Sequence, residues 1–197
     1  MNIGLYFGSF NPIHVGHLII ANHVLNETDL DKIWFVVSPQ NPLKSSAGLL
    51  NEYHRLHLVN VAIEGDERMR ASDIEFHLPT PSYTIDTMAF LEEKYPQASF
   101  TIIMGSDSFQ NISRWKNYGL LLSRYRICIY KRPGFDMPAP LPENTRVLDA
   151  PLLQISATHI RNMIRGGKSI RYLVPEKVRE EIEAGGYYKM KSEKPAQ

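Results

Sequence analysis

Two histidines near the start of the chain are spaced for a shared chemical task. His14 and His17 are separated by two residues, and they follow the turn-forming segment 8–12, which opens with Gly8. Apolar residues from Leu18 onward have the spacing of a buried helix, so both histidines should lie at or just before a helix start. Free backbone N–H groups and the helix dipole favour phosphate there. Gly16 also keeps a side chain from standing between the imidazoles, so the pattern indicates a phosphate site.

A second candidate phosphate group lies in the last quarter of the chain. Ser156 and Thr158 stand at a predicted helix start, and Arg161 follows one turn later. Hydroxyls, backbone donors and a guanidinium together suit phosphate. The same residues are also typical of an ordinary capped helix with a surface arginine, and the segment alone does not decide between these interpretations.

The elements that position these residues follow from hydrophobic periodicity. Strand-like runs are predicted at 3–7, 32–37, 69–76, 99–104, 125–130 and 146–148. Helical patterns begin near Leu18 and cover 51–64, 84–95, 156–165 and 175–184. This alternation predicts an α/β fold, a doubly wound parallel sheet of Rossmann-like type with right-handed crossovers and a short C-terminal helical segment. Ligands in such folds bind beyond the carboxyl ends of the strands, where the polar segments of this chain also fall.

Composition limits the classes of function. The 197 residues fit a single domain at 1–187 with a polar tail at 188–197. A formal net charge of +1 does not favour nucleic acid as a partner. The single cysteine, Cys128, lies in a predicted strand and should be a buried core residue. No apolar run approaches membrane-spanning length and no secretory leader is recognisable, so a cytoplasmic location without membrane contact is expected. Homo-oligomer formation is left open.

Two segments resemble a known superfamily. Gly8-Ser9-Phe10-Asn11-Pro12-Ile13-His14-Val15-Gly16-His17 resembles the G-[ST]-F-[DN]-P-x-H-x-G-H signature of the nucleotidyltransferases, known as the HxGH type. The segment 155–161 resembles their I-S-x-T-x-I-R element. Members transfer a nucleotidyl group from a nucleoside triphosphate to an acceptor and release pyrophosphate.

Further segments resemble the bacterial nicotinate mononucleotide adenylyltransferases. These segments are Ser82-Tyr83-Thr84-Ile85-Asp86-Thr87, Gly105-Ser106-Asp107 with Trp115 downstream, Tyr172-Leu173-Val174-Pro175, and the proline-containing loop 38–44. The chain departs from the usual pattern at three positions: Phe7 stands in place of a second glycine, Asn11 in place of Asp, and Leu43 in place of a frequent histidine. The last departure concerns contacts of the loop with the acceptor.

The resemblance implies a reaction and a set of site residues. ATP and nicotinate mononucleotide would give deamido-NAD and pyrophosphate, with Mg²⁺ bound through the ATP phosphates and no metal site made by the protein. The implied catalytic residues are His14, His17, Lys44 and Arg161. The implied ATP-binding residues are Gly8, Ser9, Phe10, Gly16, Gly105, Asp107, Ser156 and Thr158. The implied acceptor-binding residues are Asn41, Tyr83, Thr84 and Trp115.

The chemistry expected of these groups is positioning and charge neutralisation. The acceptor phosphate is already an anion, so no strong general base is needed. An imidazole of ordinary pKa can donate hydrogen bonds at neutral pH, and phosphate nearby favours its charged form. Asp107 would bind ribose hydroxyls or cap a helix, and Trp115 would stack on the pyridine ring or belong to the core. Backbone N–H groups around Tyr83 and Thr84 would prefer a carboxylate to a carboxamide.

Three alternatives stay open on the sequence. One is another adenylyltransferase whose acceptor is nicotinamide mononucleotide or phosphopantetheine. A second is a nucleotide-binding regulatory protein without turnover, against which the full set of phosphate-binding residues argues. A redox enzyme with a dinucleotide fold is the weakest alternative, because Gly8-Ser9-Phe10 is not a G-x-G-x-x-G turn.

Overall fold

Six parallel strands form the centre of the fold. The computed structural model describes residues 1–40, 48–137, 140–151 and 154–189. The strands of this part of the chain are β1 (Asn2–Gly8), β2 (Lys32–Val37), β3 (Met69–Ser72), β4 (Ser99–Gly105), β5 (Arg126–Tyr130) and β6 (Thr145–Leu148). They pair in the order β3-β2-β1-β4-β5-β6, and every pair is parallel.

Helices connect the strands and cover both faces of the sheet. The α-helices are α1 (Val15–Glu27), α2 (Glu52–Ala62), α3 (Thr84–Lys94), α4 (Ser106–Phe109), α5 (Tyr118–Arg124), α6 (Ala157–Arg165) and α7 (Glu176–Ala184). Two 3₁₀ turns occur at Ile74–His77 and Ile112–Arg114. This arrangement confirms the predicted doubly wound α/β architecture.

The strand order reverses between β1 and β4. The chain runs outward from β1 to β3, returns to β4 beside β1, and then runs outward to β6 on the other side. The carboxyl ends of β1 and β4, at Gly8 and Gly105, therefore border the crevice in which ligands of such sheets bind. The segment that contains His14 and His17 follows β1 directly, so the topology places it at this crevice.

Alternating side chains divide the core into two layers. Tyr6 and Ile103 belong to one apolar cluster, which also contains buried residues of α1, α2, α6 and α7. Leu5 and Ile102 belong to the other cluster, together with buried residues of α3 and α5. Neighbouring residues of a strand point to opposite faces, so each strand contributes to both layers. Cys128 is buried in β5, as the sequence predicts, and burial raises the pKa of its thiol to about 11.

The structure corrects several predicted boundaries. Residues 69–76 were predicted as a strand, but β3 ends at Ser72 and a 3₁₀ turn begins at Ile74. Helix α1 begins at Val15, earlier than the apolar run suggests, and α4 and α5 were not predicted. Among the described residues, no helix has the length and apolar character that crossing a membrane requires. The division at residue 187 stays a prediction, and residues 190–197 of the predicted tail lie outside the described part.

Candidate active site

The two histidines lie at the start of α1. His14 is the residue before the helix, and His17 is its third residue. The backbone N–H of His14 donates to His17 Nδ1 at 3.2 Å, and the two rings stack with centroids 3.7 Å apart. Because Nδ1 of His17 accepts this bond, the proton of its neutral imidazole lies on Nε2. The helix start therefore fixes both the ring orientation and the tautomer.

His14 is held uncharged in the free protein. Its side chain is buried, and burial together with the positive charge of Arg132 lowers the pKa of His14 to about 4. Its Nδ1 is buried without a hydrogen-bond partner among the described residues. The sequence predicts an imidazole of ordinary pKa, and the structure corrects that expectation. A neutral imidazole can still donate a hydrogen bond to a phosphate oxygen.

Two glycines of the first motif make room for these rings. A Cβ atom at Gly16 would lie 3.0 Å from His14 Nδ1, so a larger residue there would push the imidazole aside. A Cβ atom at Gly8 would lie 2.8 Å from the Phe10 ring. The Phe10 ring in turn meets the His17 ring edge to face, with centroids 5.1 Å apart. Phe10 is buried and packs against His17. The prediction of Phe10 as an ATP-binding residue does not include this contact.

A cavity of about 330 Å³ opens in front of the histidines, and we call it the histidine cavity. It is lined by residues of both predicted phosphate motifs, which are Gly8, Ser9, Phe10, His14, His17, Ser156, Thr158 and Arg161. Ser156 caps α6 by accepting from the His159 N–H at 3.1 Å. Arg161 donates from Nη1 to the Asn11 carbonyl at 2.8 Å. The fold thus brings two segments about 140 residues apart to one cavity.

An ion pair borders the far side of the histidine cavity. Asp107 lies in the short helix α4, and its carboxylate accepts from Arg132 Nη1 at 3.0 Å. The backbone N–H of Arg132 donates to the buried Ser106 hydroxyl at 2.9 Å, which anchors the loop after β5. Gly105 is required beside this pair, because a Cβ atom there would collide with the Asp107 carboxylate. The residue before α4 is Gly105, so Asp107 does not cap this helix.

A second cavity of about 430 Å³ adjoins the first, and we call it the tryptophan cavity. Trp115 lines it, as do Tyr83 and Thr84 at the start of α3. Lys116 connects these parts of the cavity wall, since its Nζ lies 2.8 Å from Asp86 Oδ2 and 4.9 Å from the Tyr83 ring centroid. The three predicted acceptor-binding residues that the structure describes therefore line the same cavity.

The two cavities share a floor at the crevice between β1 and β4. Tyr6, Gly8, Ser9 and Tyr130 line both of them. The hydroxyls of Tyr6 and Tyr130 are 3.1 Å apart, and burial raises the pKa of both phenols. Two ligands bound in the two cavities would therefore meet above these residues, in front of the histidines.

Comparison with known proteins identifies the family. Residues 5–163 match the cytidylyltransferase-like family. The chain is 52% identical over 190 residues to a Cytophaga hutchinsonii protein named "Probable nicotinate-nucleotide adenylyltransferase", with 95% of this chain and 98% of the relative covered. A Flavobacterium psychrophilum protein of the same name is 46% identical over 192 residues, covering 96% and 100%. This chain belongs to the nicotinate-nucleotide adenylyltransferase family.

Solved structures agree with this family in fold. The Plasmodium falciparum nicotinic acid mononucleotide adenylyltransferase complexed with NaAD superposes with a TM-score of 0.81, at 22% identity, over 95% of this chain and 97% of that chain. Its complex with APC gives a TM-score of 0.80 at 21% identity, over 95% and 96%. At such identities the likeness concerns the fold alone, and it confirms the predicted Rossmann-like nucleotidyltransferase architecture.

Some predicted residues of this family member cannot be placed. Asn41 and Lys44 lie outside the described residues. Among the residues that the structure does describe, no group of three or more His, Cys, Asp or Glu side chains could hold a metal ion. The roles assigned to individual site residues on the basis of the resemblance stay predictions.

Sequence reasoning missed three charged residues in or beside the two cavities. Arg132 follows the end of β5, a position that the strand-end rule could have singled out. Arg55 is fully buried and donates to the carbonyls of residues at the ends of β1 and β2. Glu75 is buried in the wall of the tryptophan cavity. Charged side chains in an amphipathic helix and a short turn gave no signal that they would be buried.

Proposed function

We propose that this chain transfers the adenylyl group of ATP to nicotinate mononucleotide, which gives deamido-NAD and pyrophosphate in NAD biosynthesis. The observation that carries the proposal is the shared floor of the two cavities. It would let an ATP triphosphate in the histidine cavity and a pyridine nucleotide in the tryptophan cavity meet at the stacked imidazoles. Family membership supports the same reaction.

The proposed transfer is a direct displacement at the α-phosphorus of ATP. A phosphate oxygen of the acceptor forms the new P–O bond while the bond to pyrophosphate breaks, and pyrophosphate carries the electron pair away. His17, with its proton on Nε2, would donate to an oxygen of the α-phosphate. His14, which is uncharged before binding, would gain proton affinity as phosphate charge arrives beside it. The protein would thus act by positioning and charge neutralisation.

The triphosphate would extend from the histidines toward α6. Ser156 and Thr158 offer hydroxyls, the start of α6 offers backbone N–H groups, and Arg161 offers a guanidinium. Arg161 is already oriented by the Asn11 carbonyl and the Thr158 hydroxyl, which lie 2.8 and 3.2 Å from its two terminal nitrogens. Such a preset donor loses less freedom when it binds phosphate.

Mg²⁺ would accompany ATP. Asp107 is the carboxylate that the described residues place at the histidine cavity, and it is paired with Arg132. This donor set suits a metal ion held mainly by phosphate oxygens and water. Bound Mg²⁺ would supply positive charge to the departing pyrophosphate. A cytoplasmic setting and the absence of a nucleic-acid partner stay predictions.

The proposal is tested by measuring pyrophosphate release with ATP and Mg²⁺. The acceptors are nicotinate mononucleotide, nicotinamide mononucleotide and phosphopantetheine. Release should be fastest with nicotinate mononucleotide, and His17→Ala should lower kcat by about 100-fold or more because a donor to the transferred phosphate is lost. His23→Ala, on the same helix, serves as the matched control and should keep wild-type turnover. Tight ATP binding without release from any acceptor would refute the enzyme and favour a regulatory protein.

A further inference from the structure

Glu75 is a buried carboxylate in the wall of the tryptophan cavity. It lies in the 3₁₀ turn after β3, and its side chain is 3% exposed. The carboxylate accepts from Ser82 Oγ at 2.7 Å and from Thr87 Oγ1 at 3.0 Å. The Ser38 hydroxyl also hydrogen-bonds it. Three hydroxyls, one from the loop after β2 and two from the start of α3, therefore converge on one acidic group.

No cationic nitrogen of the described residues lies within ion-pair distance of this carboxylate. Burial raises the pKa of Glu75, while the hydrogen bonds from the three hydroxyls act in the opposite direction. A buried carboxylate is costly unless its hydrogen bonds are made. Burial of the Glu75 carboxylate is therefore tolerated only while Ser38, Ser82 and Thr87 keep their positions. These hydrogen bonds hold the loop after β2, the 3₁₀ turn and the start of α3 to one another.

Ser82 and Thr87 flank the residues that would bind the pyridine ring of the acceptor. Ser82 comes just before Tyr83 and Thr84, and Thr87 comes one turn later on α3. The first N–H groups of a helix have no partner within it, and in α3 these include the N–H groups of Thr84, which lines the tryptophan cavity, and of Ile85. Holding the chain on both sides of these groups fixes their direction relative to Trp115, which lines the same cavity.

Ser38 connects this arrangement to the crevice. Its backbone N–H donates to the Gly8 carbonyl at 2.9 Å, at the end of β1. Its hydroxyl binds Glu75, so the start of α3 is tied to the strand end that precedes the histidines. Glu75 therefore connects the wall of the tryptophan cavity to the strand end that precedes the histidines.

We propose that Glu75 is a positioning residue that fixes the first turn of α3 for the carboxylate of the acceptor's pyridine ring. It thereby sets the preference for the acid over the amide. This inference rests on the proposed function, because it takes nicotinate mononucleotide as the acceptor. Glu75 acts through the backbone of Thr84 and Ile85 and does not itself contact the substrate.

The test compares Glu75→Gln, Thr87→Val and Thr87→Ser with the wild type. Glu75→Gln and Thr87→Val keep the size of the side chain but break the network, while Thr87→Ser retains the hydroxyl. We expect the first two to raise KM for nicotinate mononucleotide by about tenfold, as for the loss of a charge-assisted hydrogen bond. KM for ATP should change by less than about twofold, and the acid-to-amide ratio of kcat/KM should fall. Thr87→Ser should behave as the wild type.

A control variant and the contrary outcomes distinguish a positioning role of Glu75 from a general effect on stability. Glu93→Gln, an exposed residue on the same helix, should leave all constants unchanged. The inference is overturned if folded Glu75→Gln and Thr87→Val keep the wild-type acceptor KM and acid-to-amide ratio, or lower kcat for both acceptors equally. If Glu75→Gln does not fold, Thr87→Val decides between these outcomes. A wild type that fails to use nicotinate mononucleotide would refute the proposed function itself, a result distinct from an unaltered variant.

Discussion

His14 and Arg161 show how single residues prepare the site for charge that arrives with a ligand. His14 is buried beside the positive charge of Arg132, and its low pKa keeps it neutral while the cavity holds no phosphate. The stacked imidazoles therefore avoid the repulsion that two cations 3.7 Å apart would suffer. Phosphate charge would reverse this balance and favour protonation. Arg161, which stays charged, provides attraction before that change.

Residue types and spacing were enough to predict most of the histidine cavity. His14 and His17 were placed at a helix start, and Ser156 at the start of another, before the fold was known. Asp107 was predicted without its partner Arg132, because pairing across two strand ends is a tertiary fact. The low pKa of His14 was also beyond the sequence, since it follows from burial and from that same arginine.

Substitution of Asp107 tests whether the pair with Arg132 serves the nucleotide. Asp107→Asn keeps the size of the side chain but removes the charge that orients the guanidinium at 3.0 Å. We expect KM for ATP to rise about three- to tenfold, because a charged acceptor for ribose hydroxyls is lost from the cavity wall. KM for the pyridine nucleotide should stay near the wild-type value. Steady-state kinetics with each substrate varied in turn would measure both constants.

Asp136→Asn is the control for this prediction. Asp136 is exposed in the loop after β5, near Arg132 in sequence but not among the residues that line the histidine cavity. An unchanged ATP constant in Asp107→Asn would show that the ion pair only anchors the loop.

At the level of elements, periodicity predicted the long helices and strands but not the short helices. The four residues of α4 make one turn, and the seven of α5 make two, which is too few for a helical repeat to stand out. The end of β3 was misplaced for a related reason. Residues 74–76 continue an apolar-polar alternation, yet they form a 3₁₀ turn that carries Glu75 into the cavity wall.

Helix α2 holds two strand ends through one buried guanidinium. Arg55 is fully buried and donates to four carbonyls, those of Ser9, Ser38, Pro39 and Leu50, at 2.6 to 3.0 Å. Ser9 lies in the segment after β1 that contains His14 and His17, and Ser38 also binds Glu75. A planar guanidinium has several N–H donors and can bind four carbonyls at once, which a lysine ammonium could do only in part.

Replacement of Arg55 should therefore destabilise the whole domain. Arg55→Met leaves four partly buried carbonyls without this donor and removes a fully buried guanidinium, and we expect the free energy of unfolding to fall by about 3–5 kcal/mol. Arg55→Lys should recover part of the loss, because an ammonium can serve some of these carbonyls. Arg124→Met removes an exposed ion pair with Glu92 and should cost no more than about 1 kcal/mol. Urea unfolding followed by circular dichroism measures all three. Equal losses in Arg55→Met and Arg124→Met would contradict the role of the buried guanidinium.

For the whole molecule, the reversal of strand order explains why distant segments share one site. Tyr6 on β1 and Tyr130 on β5 lie on either side of β4, and together they form the floor of both cavities. The sequence predicted this convergence because the rule for parallel sheets depends only on the order of elements. It could not predict that the crevice is divided into two adjoining cavities, since that division depends on side-chain packing at the strand ends.

Buried titratable groups make the stability of the whole domain depend on pH. The pKa of His14 falls from 6.5 in an exposed state to about 4 in the folded protein, so the unfolded chain binds more protons between these values. Stability should therefore be complete above the unfolded pKa and decrease as pH falls toward about 4, by up to about 3 kcal/mol from this residue. Glu75 acts in the opposite direction, because burial raises the pKa of its carboxyl.

The difference between wild type and His14→Asn isolates the histidine from the other groups. Asn cannot titrate, so the variant should lose less stability than the wild type between neutral pH and about pH 4.5, by about 2–3 kcal/mol. Glu75, and carboxylates such as Asp66 whose pKa the hydrogen bond from Arg68 lowers, remain in both proteins and cancel. Urea unfolding at the two pH values, without nucleotide, gives the four free energies required. Parallel losses in the two proteins would mean that folding does not lower the pKa of His14, and burial beside Arg132 would not be what keeps the ring neutral.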